Sequence, residues 1–121
     1  MRSAALLGLL LLGCAGPRAA QVRDEGEGYA VRDYLTTAWE ALSLAETDTA
    51  GHRVRAQRET RAALEALGDL ATPIRRVPFD GPPSLEVALE LLERSRPHLG
   101  RNALAMGHAE KAMDELRAAM R

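Results

Sequence analysis

A chain of 121 residues with a net charge of −1 has room for one domain, and its charge gives no electrostatic case for nucleic acid or for an anionic membrane surface. Aromatic residues make up 3% of it while Ala, Leu, Glu and Arg abound, which favours helix over sheet and a core of Leu and Ala. A single cysteine, Cys14, excludes an intrachain disulfide, so stability has to come from packing.

The first element in chain order is a short leader. Arg2 supplies a positive start, and Ala4 to Leu12 is a nine-residue apolar run, well short of the roughly 20 residues a membrane-spanning helix needs. It ends in Leu11-Leu12-Gly13-Cys14: an aliphatic residue, a tolerant position, a small residue, then the sole thiol. This motif resembles the bacterial lipobox. The resemblance implies that residues 1–13 are a removable export signal and that Cys14 is the lipid attachment site and first residue of the mature lipoprotein. Acyl chains at about 0.8 kcal/mol per buried CH₂ would then make membrane anchoring effectively permanent. Ala15 after the cysteine, by resemblance to enteric lipoproteins, points to the outer membrane, facing the periplasm.

Residues 14–28 are polar, marked by Gly and Pro, and without apolar period, so they read as a flexible tether. From Tyr29 onward Val31, Tyr34, Leu35, Ala38, Leu42 and Ala45 recur every three or four residues, one face of a first helix. Thr47-Asp48-Thr49 breaks the pattern and offers N-cap side chains for a second helix, whose stripe is Ala56, Thr60, Ala63, Leu64, Leu67 and Leu70. Four of the six prolines fall between Thr72 and Pro83, which predicts a loop. Ser84 is placed to cap a third helix bearing Leu85, Ala88, Leu89 and Leu92, ended by Pro97 and Gly100. Asn102 can cap a fourth, with Ala105, Ala109, Ala112, Met113, Leu116, Ala119 and Met120 on its apolar side.

An internal repeat organises these helices. Residues 51–64 (GHRVRAQRETRAAL) and 107–120 (GHAEKAMDELRAAM) are identical at seven of fourteen positions without a gap. The shared Gly-His start and the shared Glu59 and Glu115 matter more than the alanines. A basic residue four positions before each glutamate suits an i,i+4 ion pair. The Gly-His-x-x-basic-Ala segment also resembles one in small exported proteobacterial helical-hairpin proteins, a resemblance that brings no activity with it. The reading is two related hairpins, 29–70 and 84–121, joined by a Pro-rich loop over 71–83, in one domain over 29–121. The simplest packing is an all-α, up-down-up-down four-helix bundle, with helices 2 and 4 parallel and the tether entering at the opposite end from their histidines.

No catalytic residue is assigned, because the acids lie along helices at ion-pair spacing (Glu90 before Arg94, Arg61 before Glu65), Ser43, Ser84 and Ser95 stand in no motif, and there is no Gly-rich phosphate loop. The chain is therefore read as a non-enzyme without cofactor. Arg53, Arg55, Arg58 and Arg61 make part of helix 2 basic, a docking stripe for an acidic partner or lipid phosphates in one reading and, in the favoured one, a solvated face offset by Glu59 and Glu65. Trp39 reads as a core-edge residue. Phe79 has two open placements, a plug at the membrane-proximal end or an exposed contact. His52, His98 and His108 fall at one end of the expected bundle and are the candidates for a transition metal or haem, with Met106, Met113 and Met120 beside them as soft ligands. The competing reading makes each histidine a structural hydrogen-bonding group and the methionines a heptad core stripe. The functional expectation is a membrane-tethered structural or protein-interaction module of the cell envelope. Its partner would be another envelope protein or a second copy. A metal- or haem-binding periplasmic bundle is the alternative.

Overall fold

The computed structural model describes residues 20–46, 49–68 and 73–121. The leader, the Leu11–Cys14 motif, the start of the tether, Thr47, Asp48 and Leu70 lie outside the described residues. Among those described, the fold is all-helical: α1 (Val31–Leu44), α2 (His52–Leu67), α3 (Leu85–Ser95) and α4 (Ala103–Ala119). Short 3₁₀ turns at Thr49–Gly51 and Arg96–His98 precede α2 and follow α3. No described helix is long and apolar enough to cross a membrane.

Local chemistry explains most helix ends. Ser84 and Asn102 cap as their types suggest: Ser84 Oγ accepts from the Val87 N–H at 3.2 Å and Asn102 Oδ1 from the Ala105 N–H at 2.9 Å. Ala30 has no side chain to cap α1, and Asp33 reaches back to accept the Ala30 N–H at 2.9 Å. At α2 the expected Thr/Asp cap is replaced by a left-handed entry. Ala50 (φ 53°) and Gly51 (φ 75°) turn the chain into the helix, and no side chain caps it. Gly68, also left-handed, ends it.

The core is built on Leu35, Ala38 and Leu42 of α1, Val87, Ala88, Leu91 and Leu92 of α3, and Ala109, Ala112, Met113 and Leu116 of α4. A fully buried Leu contributes roughly 2 kcal/mol against exposure, so α1, α3 and α4 are firmly held. α2 is different: Ala56, Thr60 and Ala63 are the residues it buries. It packs on α4, whose own buried residues include Ala105, Ala109 and Ala112, and small side chains let two backbones approach closely.

The packing order corrects the expected up-down-up-down arrangement. α1 packs on α2 and α3, and α4 packs on the same two helices. α2 and α4 are neighbours and antiparallel, since His52 at the start of α2 meets Glu115 near the end of α4 while Glu59 meets His108. The cause is the path of the connector. It climbs along α1: the Arg75 N–H donates to Asp33 Oδ1 at 2.8 Å, the Val77 N–H to Thr37 Oγ1 at 3.0 Å, and Pro82–Ser84 arrive beside Leu44. α3 therefore starts where α1 ends, and the second hairpin is inverted relative to the expectation.

The second correction concerns the tether. Residues 21–24 lie antiparallel to 77–80, with the Arg23 N–H donating to Pro78 O (2.7 Å) and the Asp80 N–H to Gln21 O (2.8 Å). Val22 and Phe79 form an isolated β-bridge, and Val22 is 1% exposed. This part of the expected tether belongs to the folded domain. Phe79 is half-buried against the core, with the Arg76 guanidinium 5.8 Å from its ring.

Candidate functional site

The α2–α4 seam gathers the residues that the repeat singled out. His52 Nδ1–H donates to Glu115 Oε1 at 2.7 Å, and His108 Nδ1–H to Glu59 Oε1 at 3.1 Å. Each histidine thus holds the glutamate that lies seven residues after the other. Seven residues are about two helical turns, which puts His and Glu on one face of each helix. Antiparallel packing then brings both pairs into register at once. Arg55 joins the first pair, its Nε donating to Glu115 Oε1 at 3.0 Å and Oε2 at 3.2 Å, and its Nη2 to Ala50 O at 3.0 Å. Its Nη2 also lies 3.1 Å from His52 Nδ1. With that Nδ1–H committed to the carboxylate, this contact sets guanidinium beside imidazole without a second hydrogen bond. The His52 hydrogen bond first, and Arg55 second, hold the Glu115 carboxyl below its ordinary 4.5.

A groove of about 400 Å³ runs over this seam, lined by Arg55, Arg58, Glu59, Lys111, Asp114 and Glu115. These are three pairs at equivalent positions of the two repeats. Three basic and three acidic side chains line it, a balance that suits mutual compensation better than the capture of a charged ligand. The expected i,i+4 partner of Glu59 within α2 was Arg55, which instead crosses to Glu115. Arg53 also has a structural task, its Nη1 donating to Leu42 O at the end of α1 at 2.9 Å.

A second polar cluster, which the sequence reading missed, fastens the N-terminal segment. Glu90 accepts the Gln21 N–H at 2.8 Å and the Val22 N–H at 3.2 Å, and its i,i+4 pair with Arg94 forms as expected at 3.0 Å. Arg94 also reaches Asp24, whose other oxygen accepts the Tyr34 hydroxyl at 2.6 Å. Burial first, then the hydrogen bond to the Asp24 carboxylate, push the Tyr34 phenol up to about 12. His98, exposed after α3, lies over the Tyr34 ring at a centroid distance of 6.0 Å. The missed signal was Asp24 in a stretch read as tether: no local period marks a residue whose partners are ten and seventy positions away.

The three histidines are not brought together. His98 and His108 lie toward the end where α1 starts, His52 at the other end, and His52 is level with Glu115, on the order of 10 Å along α4 from His108. Nitrogen ligands to one metal lie about 2 Å from it, which these positions cannot supply. Among the described residues no group of three or more His, Cys, Asp or Glu is arranged to hold a metal ion. Of the methionines, Met113 is fully buried, while Met106 and Met120 are partly buried against the core.

Two further grooves are open. One of about 280 Å³ lies between α1 and α2, lined by Arg32, Thr36, Trp39, Arg61, Leu64, Glu65 and Ile74, with Trp39 half-buried in its wall. The other, about 530 Å³, lies at the end of the bundle where α1 and α4 finish and α3 begins. Compared with family models, with curated proteins and with solved structures, the chain gives no match.

Proposed function

We propose that this chain is an envelope lipoprotein: an export signal over residues 1–13, a lipid on Cys14, and a helical domain that serves as a structural or protein-interaction module at the membrane surface. The observation that carries this reading is the Leu11-Leu12-Gly13-Cys14 motif, whose thiol is the sole one in the chain. The packed domain beginning a few residues later, with its polar groups spent on one another, supports a scaffold rather than a reaction centre. The partner is another envelope protein or a second copy, and the anchored face is the periplasmic side of the outer membrane.

We also read the domain as a duplication of one hairpin. The seven identities between 51–64 and 107–120 support it, and so does the reciprocal pairing of His52 with Glu115 and His108 with Glu59. A helix that carries His and Glu two turns apart is complementary to an antiparallel copy of itself, as in an isologous interface.

The test is the mass of the protein isolated from bacterial membranes. The wild-type chain is expected to have lost residues 1–13 and gained a diacylglyceryl group on Cys14. Cys14→Ser is expected to keep the leader and carry no lipid. A Cys14→Ser chain that matures like the wild type refutes the reading.

A further inference from the structure

We infer that the end of the bundle formed by Leu44, Pro82, Pro83 and Met120 is the face that rests on the bilayer, an orientation that depends on the lipid anchor proposed at Cys14. The chain path carries it. Traced backwards from Asp24, whose partners Tyr34 and Arg94 lie at the start of α1 and the end of α3, the backbone runs antiparallel to residues 77–80. Gln21 then sits against Glu90 and close to Gly81, and Ala20 shares a hollow with Glu86 and Met120. The N-terminal segment is thus directed toward the end where α3 starts and α1 and α4 finish. This is opposite to the expectation that the tether joins at the start of α1.

Reach then points to the end that faces the lipid. Six residue steps separate Cys14 from Ala20, a covalent reach of at most about 21 Å. The 17 residues of α4 measure roughly 25 Å, so a tether leaving Ala20 would have to run fully extended along the bundle to approach the far end, where Leu104 lies, whereas the near end is within a few residues' reach. The near end is also dressed for an interface. Leu44 is 60% exposed, Pro82 is exposed, and Pro83 and Met120 are half-buried around the same hollow of about 530 Å³. The acids at this end, Glu46 and Glu86, offer no attraction to anionic headgroups. Contact is therefore apolar and enforced by the anchor, and the domain alone has little affinity for lipid. The far end, with His98, His108 and the start of α4, is turned to the aqueous side.

The experiment uses the full, lipidated chain reconstituted into phosphatidylethanolamine–phosphatidylglycerol vesicles that contain a nitroxide-labelled lipid. A fluorophore is placed on a single new thiol, Leu44→Cys or Leu104→Cys, both at exposed positions. Quenching is expected to be several-fold stronger at position 44 than at 104, with Trp39, on the flank of α1, between them. Equal quenching at the two positions, or stronger quenching at 104, in vesicle-bound protein overturns the orientation while leaving the anchor intact. A wild-type chain that does not float with the vesicles and shows a free Cys14 thiol by mass overturns the anchor itself, and the orientation with it.

Discussion

His52 Nδ1 stands 2.7 Å from Glu115 Oε1 across two antiparallel helices, and His108 repeats the contact on Glu59 two turns away. These clasps act where apolar packing is thinnest, because α2 buries two alanines and a threonine and no large side chain. Local stability follows buried apolar contact, so α2 is expected to be the first helix to open. Hydrogen exchange should be faster in the middle of α2 than in α3, which buries Val87, Leu91 and Leu92. The double variant His52→Ala/His108→Ala should widen that gap by speeding α2 alone. Uniform acceleration of all four helices would mean that the seam opens with the whole domain.

The Glu115 clasp has a pH signature. His52 and then Arg55 depress its carboxyl below 4.5, so the folded state releases this proton more readily than the unfolded chain does. Its contribution to stability is therefore present above the ordinary carboxylate range and is lost as pH falls through the folded-state value. Glu115→Gln should lower the denaturation midpoint near neutrality and approach the wild type in acid. A constant difference at every pH would show that the substitution acts through packing instead.

How much of this was legible in the sequence differs by level. The helices were, because Leu35, Ala38 and Leu42, or Leu85, Ala88 and Leu92, repeat at three and four residues and each line one buried face. Ser84 and Asn102 named their own helix starts. The order of packing was not. A Pro-rich stretch of that length can turn back at one end or climb the bundle, and the composition of 73–83 is the same in both cases. What decides is the pairing of Val77 with Thr37 and of Arg75 with Asp33, contacts between residues some forty positions apart. The His–Glu seam was legible in principle, since a shared His and Glu seven residues apart lie on one helical face. Reading each Glu with the nearest base on its own helix hid it.

Tyr34 predicts the alkaline limb. Its phenol is buried and donates to Asp24, which raises it to about 12 in the folded protein against an ordinary 10. The folded state then holds a proton that the unfolded chain releases, so the contribution is complete below pH 10 and is lost as pH rises toward 12. Over that window the wild type should lose on the order of 2 kcal/mol by this group. Tyr34→Phe should cost about 1–2 kcal/mol at neutral pH, since it removes a hydrogen bond to a charged acceptor, and should flatten the decline above pH 10. Denaturant melts at pH 7, 9 and 11 make the comparison.

Val22 tests whether the N-terminal segment belongs to the domain. At 1% exposure it belongs to the core and bridges to Phe79, while its N–H is taken by Glu90. Val22→Ala should cost about 2 kcal/mol from lost burial and the cavity left behind. Leu104→Ala, at 64% exposure, should fall within about 0.5 kcal/mol of the wild type. If the two substitutions prove equally mild, residues 20–24 contribute nothing to folding and the chain path toward Ala20 loses its anchor points.

Asn102 ties two helix ends together and allows its two roles to be separated. Its Oδ1 accepts the Ala105 N–H at 2.9 Å at the start of α4, and its Nδ2 donates to Ala66 O at 3.1 Å at the end of α2. The first bond satisfies one of the free N–H groups of a helix start, the second one of the free carbonyls of a helix end. Asn102→Ala removes both and should cost about 2 kcal/mol, near the upper range for a cap. Asn102→Asp keeps the acceptor at the positive end of the α4 dipole but puts an anion against the Ala66 carbonyl. It should therefore recover the stability of α4 while leaving the last turn of α2 frayed. Chemical-denaturation midpoints give the first quantity and amide exchange at residues 64–67 the second. If Asn102→Asp restores protection there as well, the link to Ala66 is incidental, and the end of α2 is held by the packing of Ala63, Leu64 and Leu67.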